Sequence, residues 1–275
     1  MAGINKRKVL FFMQIPHGKW FPAIKTRRSR RAFDGRKIDK EILGRIESVC
    51  INFRPFQAAR AVLVDSVPDG LFTGAIGPYG RIKGAPAFVA FIGNTENPCF
   101  QEQTGYTGEG IILEAEASGL ATCWVAGFFR RQVAKSQTEI SENEEVLAIT
   151  PIGYALKEPT FMEKSMTGFG LTHRRKPLSE LVIGLKEQAW PDWTTTALEA
   201  ARLAPSAVNR QPWRFEVEDQ SITISVNSEN RFSSVSRRLD CGIAMLHIET
   251  AAISCGKKGK WEPLKPPAVA RFKSV

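Results

Sequence analysis

Residue types and patterns that usually announce a chemistry are scarce in this chain. Histidine occurs three times in 275 residues, and the five cysteines (Cys50, Cys99, Cys123, Cys241, Cys255) are odd in number, scattered and never spaced CxxC. Neither a zinc site nor a disulfide framework is indicated, and a reducing compartment is expected. No apolar run approaches the roughly 18 residues of a membrane span. Lys6-Arg7-Lys8 precedes only the short apolar stretch Val9-Leu10-Phe11-Phe12-Met13, with no small-residue cleavage site behind it. That segment reads as an ordinary strand in a cytoplasmic protein. A GxSxG elbow and a GxxxxGKS/T loop are both missing, so a serine hydrolase and an NTPase have no support.

What is present is an ordinary globular composition, 43% hydrophobic and 24% charged, with a strong excess of positive charge. Lys and Arg number 38 against 28 Asp and Glu, a formal net charge of +10. Such a chain attracts phosphates of any kind: nucleic acid, an anionic membrane surface or a nucleotide cofactor. The distribution of charge has to choose among them.

Residues 1–20 read as an extended lead-in. A helix then follows Asp39, a plausible N-cap, with Ile42, Leu43 and Ile46 on one face. Strands are expected at Ala61–Asp65, Pro86–Ile92, Thr122–Val125, Ala148–Tyr154 and Ile222–Val226. Gly74, Gly77, Gly80 and Gly84 mark a long loop, and Pro159–Pro177 an exposed connection. Gly108–Gly119 reads as a helix opened and closed by glycine. Thr196-Ala197-Leu198-Glu199 has the form of a capping box, and its helix has to stop near Ala204 because Pro205 follows. Gly242–Ala252 is a final apolar helix. A weak echo of Gly110-Ile111-Ile112-Leu113 in Gly242-Ile243-Ala244-Met245 hints at two related halves.

Four segments are candidates for chemistry. In Lys25-Thr26-Arg27-Arg28-Ser29-Arg30-Arg31-Ala32-Phe33, guanidinium groups and a hydroxyl can hold phosphate oxygens, although a solvated basic face or nucleic-acid patch fits equally. Ala204-Pro205-Ser206-Ala207-Val208-Asn209-Arg210-Gln211-Pro212-Trp213 is a proline-stiffened turn displaying hydroxyl and amide groups. It suits the edge of a flat heteroaromatic ring, or a purely structural turn. Gly105-Tyr106-Thr107-Gly108-Glu109-Gly110 offers free amides if a helix begins there, or is a plain loop. His173-Arg174-Arg175-Lys176 can close over a phosphate or simply solubilise a loop.

Together these segments resemble the nitroreductase family of FMN-dependent oxidoreductases. Arg27, Arg28, Ser29, Arg31 and Phe33 match its RRSxRxF segment; Ala204, Pro205, Ser206, Asn209, Gln211, Pro212 and Trp213 match APSxxNxQPW without a gap. Glu109 and Gly110 resemble the pair whose backbone approaches the flavin N5. Gly119-Leu120-Ala121-Thr122-Cys123-Trp124 is similar to the strand that follows. Arg174 and Arg175 sit where a basic phosphate ligand precedes Pro-Leu. In ordinary members APSxxNxQPW follows RRSxRxF within a few dozen residues, and two chains share two sites. Here that place reads Cys50-Ile51-Asn52-Phe53-Arg54-Pro55-Phe56, and the intact motif lies in the other half. The resemblance therefore extends to a fused, single-chain branch with one composite site.

What it implies is an α+β sandwich with a mostly antiparallel sheet flanked by helices, built from unequal halves, 1–180 and 181–275. The implied cofactor is FMN, bound by Arg27, Arg28, Ser29, Arg31, Glu109, Gly110, Arg174, Arg175, Pro205, Ser206, Asn209 and Gln211, with no side chain required as acid or base and no metal. NADH or NADPH would reduce the flavin and a nitroaromatic, quinone-type or other small acceptor reoxidise it, in ping-pong order. A flavin carrier or sensor with little turnover is one alternative, a basic nucleic-acid binder another. Neither nucleic acid nor membrane is expected as a partner, and a monomer is expected ahead of a dimer.

Overall fold

The computed structural model describes residues 13–72, 82–156, 174–227 and 235–275. The apolar Val9–Phe12 stretch, Gly74, Gly77, Gly80, most of the Pro159–Pro177 connection and His173 lie outside the described residues. The lead-in does not stay extended: α1 forms at His17–Thr26, with Trp20, Ala23 and Ile24 buried on one face. Helix α2 (Lys40–Asn52) starts behind Asp39 as expected, but the Asp39 carboxylate accepts from Tyr154 Oη at 3.0 Å and makes no cap bond. Strands β1 (Ala59–Val64), β2 (Ala87–Asn94), β3 (Ala121–Thr122) and β4 (Glu144–Gly153) form an antiparallel sheet in the order β1-β2-β4-β3.

The second sheet has the order β5-β6-β7-β9-β8. It comprises β5 (Val182–Gly184), β6 (Trp213–Glu218), β7 (Ser221–Val226), β8 (Gly259–Pro263) and β9 (Ala268–Ser274). Only the β5–β6 pairing is parallel. The run β6-β7-β9-β8 repeats the order of the first sheet, and in each half a long helix follows the second strand. These are α3 (Phe100–Ala117) and, after the short helices α4 (Arg131–Ser136) and α5 (Leu178–Leu181) and helix α6 (Asp192–Arg202), α7 (Arg237–Ser254).

Helices α3 and α7 pack against each other, and each packs on its own sheet. Their approach is reciprocal. A Cβ on Gly105 would collide with the Leu239 carbonyl, and one on Gly242 with the Glu102 carbonyl. Gly105 and Gly242 are as far apart in sequence as Glu102 and Leu239, so Gly105 is the true counterpart of Gly242. The echo that aligned Gly110 with Gly242 is therefore out of register by five residues. Two buried polar links cross the same seam. Arg238 forks onto Glu102 (2.9 and 2.5 Å), and His247 Nε2 meets Glu109 Oε1 at 2.9 Å. One apolar cluster runs through both halves, while Phe88, Ala90 and Ile92 on the opposite face of β2 join a smaller one with Ala134 of α4.

The starts of α6 and α3 differ from expectation, as does that of α7, which begins at Arg237 ahead of Gly242. Helix α6 begins at Asp192 behind Pro191, a turn before Thr196, so the capping box is not used. Proline at the boundary and Asp192 in the first turn set the earlier start, the acid favoured by the helix dipole. Helix α3 begins at Phe100 and carries Gly105, Gly108 and Gly110 in its interior.

Candidate functional site

That second difference corrects the reading of Glu109 and Gly110. Both lie mid-helix, where backbone N–H groups belong to the helix's own ladder and are not free to approach a ligand. Glu109 is fully buried, and its carboxylate accepts from Trp124 Nε1 at 2.7 Å as well as facing His247. Gly110 sits against Phe53 and Trp20, with no room for a Cβ. They are core residues at the seam, remote from a helix start.

The other basic segments converge. Arg27 caps the C-terminal end of α1, its N–H donating to Ala23 O, and the residue is 5% exposed. Arg28 is exposed, with Nη1 donating to the carbonyls of Lys25 and Arg27 (2.9 and 2.8 Å). Ser29 forms a parallel bridge with Thr122 of β3, and Arg31 is held through its carbonyl by Lys83 N at 2.9 Å. From the connection before α5, Arg175 reaches the same place. Burial and the charges of Arg27, Arg28 and Arg202 push its guanidinium down to about 10, so it stays protonated at neutral pH.

The second half supplies a rigid floor. Pro205 is buried after α6, and the loop behind it contains Val208, Asn209 and Gln211 at φ 49°, 55° and 49°. These are the described non-glycine residues with left-handed backbone, a conformation costing on the order of 1–3 kcal/mol each outside glycine. The surroundings over-determine it. Ser206 Oγ accepts from Gln211 N at 3.0 Å. Asp240 in the first turn of α7 accepts from Ala207 N (3.2 Å) and Arg210 Nε (2.7 Å), and Arg210 Nη2 reaches the carbonyls of Val235 and Ser236. Burial pushes the Asp240 carboxyl up to about 6 against the opposing pull of Arg210.

The two halves meet through amides. Arg175 Nη1 donates to Asn209 Oδ1 at 2.6 Å, Asn209 Nδ2 donates to Arg174 O at 2.9 Å, and Gln211 Oε1 accepts from Lys176 N at 2.8 Å. Arg27, Arg28, Arg174, Arg175, Ser206, Asn209 and Gln211 are thus gathered in one region. Arg202 was missed by motif reading. It adds a fourth positive charge beside Arg175 from the last turn of α6, although its own guanidinium is paired with Glu199 at 2.5 Å. Nothing in its sequence context marks it, because its role comes from the fold.

Several buried donors in this region have no acceptor among the described residues: Arg27 Nη1 and Arg175 Nε, with Thr122 Oγ1 beside Ser29. A guanidinium nitrogen buried without a partner costs several kcal/mol unless an anion meets it. A cluster of like charges with donors left over is the chemistry of a site for a phosphate-bearing group.

A search of curated proteins gave no match. Among solved structures, a "putative nitroreductase" from Thermotoga maritima is 21% identical. The match covers 96% of this chain and 97% of that one, with a TM-score of 0.63, which establishes a shared fold. A nitroreductase family protein from Clostridium difficile 630 is 24% identical over 58% of this chain and 94% of its own, with a TM-score of 0.45. An FMN-bound nitroreductase from Bacteroides fragilis is 18% identical over 52% and 94%, with a TM-score of 0.40. The fold is the expected α+β arrangement of antiparallel sheets and helices, and among the described residues no helix is long and apolar enough to cross a membrane. The family model described as "Putative TM nitroreductase" matches residues 19–252, and the chain belongs to that nitroreductase family.

Proposed function

We propose that the chain binds one FMN in a site shared by its halves, 1–180 and 181–275, and acts as an NAD(P)H-dependent oxidoreductase on small acceptors such as nitroaromatics and quinones. The observation that carries this reading is the pair of buried, partnerless nitrogens, Arg27 Nη1 and Arg175 Nε, in a cluster of positive charge. In this reading Arg27, Arg28, Ser29, Arg174 and Arg175 hold the phosphate, each charge-assisted bond contributing roughly 1.5–3 kcal/mol. Arg31 lies toward the pyrimidine end, where a positive charge favours a reduced, anionic ring. Pro205 and Ser206 present a stiff edge against the ring's flat face.

Bound flavin supplies the hydride chemistry, taking electrons from NADH or NADPH and giving them to the acceptor in ping-pong order. The protein's own part is grip, charge and access. Since both contributing halves lie in one polypeptide, the site needs no second chain, and the proposed working state is a cytoplasmic monomer.

The test is reconstitution with FMN, removal of free ligand, and steady-state NAD(P)H oxidation with nitroaromatic and quinone acceptors. Retained flavin with parallel double-reciprocal lines supports the proposal. Retained flavin without turnover would make the protein a flavin carrier or sensor. No retained flavin, together with salt-sensitive binding of nucleic acid, would reject the reading.

A further inference from the structure

We infer that Asn209 and Gln211 are positioning residues, which aim Arg175 at an anionic ligand and make no contact with a flavin ring. The inference rests on the composite site just proposed. Gln211 is 3% exposed and its amide is fully spent within the protein. Its Nε2 donates to Arg174 O (3.1 Å) and Asn209 O (3.2 Å), which uses both hydrogens, and its Oε1 accepts from Lys176 N (2.8 Å). Asn209 turns both ends of its amide to the same segment, Oδ1 to Arg175 Nη1 and Nδ2 to Arg174 O. The left-handed backbone at positions 209 and 211 lets two side chains so close in sequence grasp one strand of chain.

Arg175 needs that grasp. It faces the charges of Arg27, Arg28 and Arg202, and repulsion favours its swinging away. Two acceptors hold it, Asn209 Oδ1 and Leu203 O (3.2 Å), and its Nε remains buried and without a partner. Both acceptors are neutral. A carboxylate at 209 would hold the guanidinium more strongly but cancel its charge, so the amide keeps the full attraction for an incoming anion. The clamp therefore acts on selectivity for a phosphorylated ligand.

The isosteric variants Asn209→Asp and Gln211→Glu test this. FMN, riboflavin and inorganic phosphate are compared on wild type and variants, the flavins by quenching of flavin fluorescence and phosphate by its effect on melting temperature. A clamp predicts FMN affinity falling about tenfold or more in each variant, riboflavin affinity changing by less than about threefold, and loss of the phosphate effect. Equal weakening of FMN and riboflavin in both variants would place the amides on the ring and overturn the inference. Should one variant not fold, the other decides. If wild type responds to phosphate but not to FMN, and the variants lose that response, the flavin reading fails and the clamp stands. If wild type does not respond to phosphate, the clamp fails.

Discussion

Two loops occupy equivalent places, each joining the helix before a sheet to its first repeated strand, and they have opposite fates. The loop between α6 and β6 keeps prolines, three left-handed residues and a set of amides, all braced by Asp240 and Ser206. The loop between α2 and β1 has Phe53-Arg54-Pro55-Phe56 instead. Phe53, 1% exposed, drops into the core edge-on to Trp20 (ring centroids 4.9 Å apart) and stacked on Tyr106 (6.2 Å). Phe56 meets Tyr106 edge-on at 5.1 Å, and Gly110 leaves room for Phe53 by having no side chain. One copy of a repeated turn has become apolar packing, while the other turns its amides to the segment that carries Arg174, Arg175 and Lys176. The proposed single site per chain rests on that division.

Substitutions sharpen the contrast. The largest effect is expected in the apolar loop: Phe53→Ala should cost about 3–5 kcal/mol of stability, read as a lower denaturation midpoint, with the FMN stoichiometry unchanged. A loss of flavin binding without loss of stability would break the comparison. On the polar side, Arg27→Met and Arg175→Met should each weaken FMN by about 1.5–3 kcal/mol, roughly 10- to 150-fold, while leaving riboflavin nearly untouched. Titration of both flavins checks this, and equal weakening of the two would contradict a phosphate role.

A smaller effect is expected from Asp240. Its carboxyl is raised to about 6 in the folded protein, above its ordinary value, so folding holds that proton more tightly than the unfolded chain does. The resulting stability is complete below the ordinary carboxylate range and is lost as pH rises through about 6. Asp240→Asn should remove this slope, a change on the order of 2 kcal/mol between pH ~4 and ~7. Parallel melting-temperature profiles of variant and wild type over that range would show that Asp240 is not the group responsible.

The polar loop was legible in the sequence because its signal is local: prolines, hydroxyl and amides in one unbroken stretch, with the basic segment matching in register. Strands β1, β2, β4 and β7 were legible to within a few residues because apolar runs bounded by turn residues mark them, whereas β5, β8 and β9 were not foreseen. The start of α3 was not. Gly105 read as a loop and Gly108 as the opening of the helix, since glycine ordinarily weakens a helix interior. Gly105, Gly108 and Gly110 are each required by something distant: the Leu239 carbonyl, the rings of Trp124 and Phe91, and Phe53 with Trp20. Misplacing that start suggested free amides at Glu109 and Gly110, whose N–H groups lie within the helix. Arg202 and Asp240 were equally hidden, because their effects on Arg175 and on the loop exist only once α6 and α7 are packed together.

The most direct test of the account is the number of FMN molecules retained per folded chain after saturation and removal of free ligand. The composite site with one decayed counterpart predicts one. Two would mean that the loop at Phe53 still binds and the division between the halves is wrong. None would mean that the buried guanidinium nitrogens of Arg27 and Arg175 await a different anion.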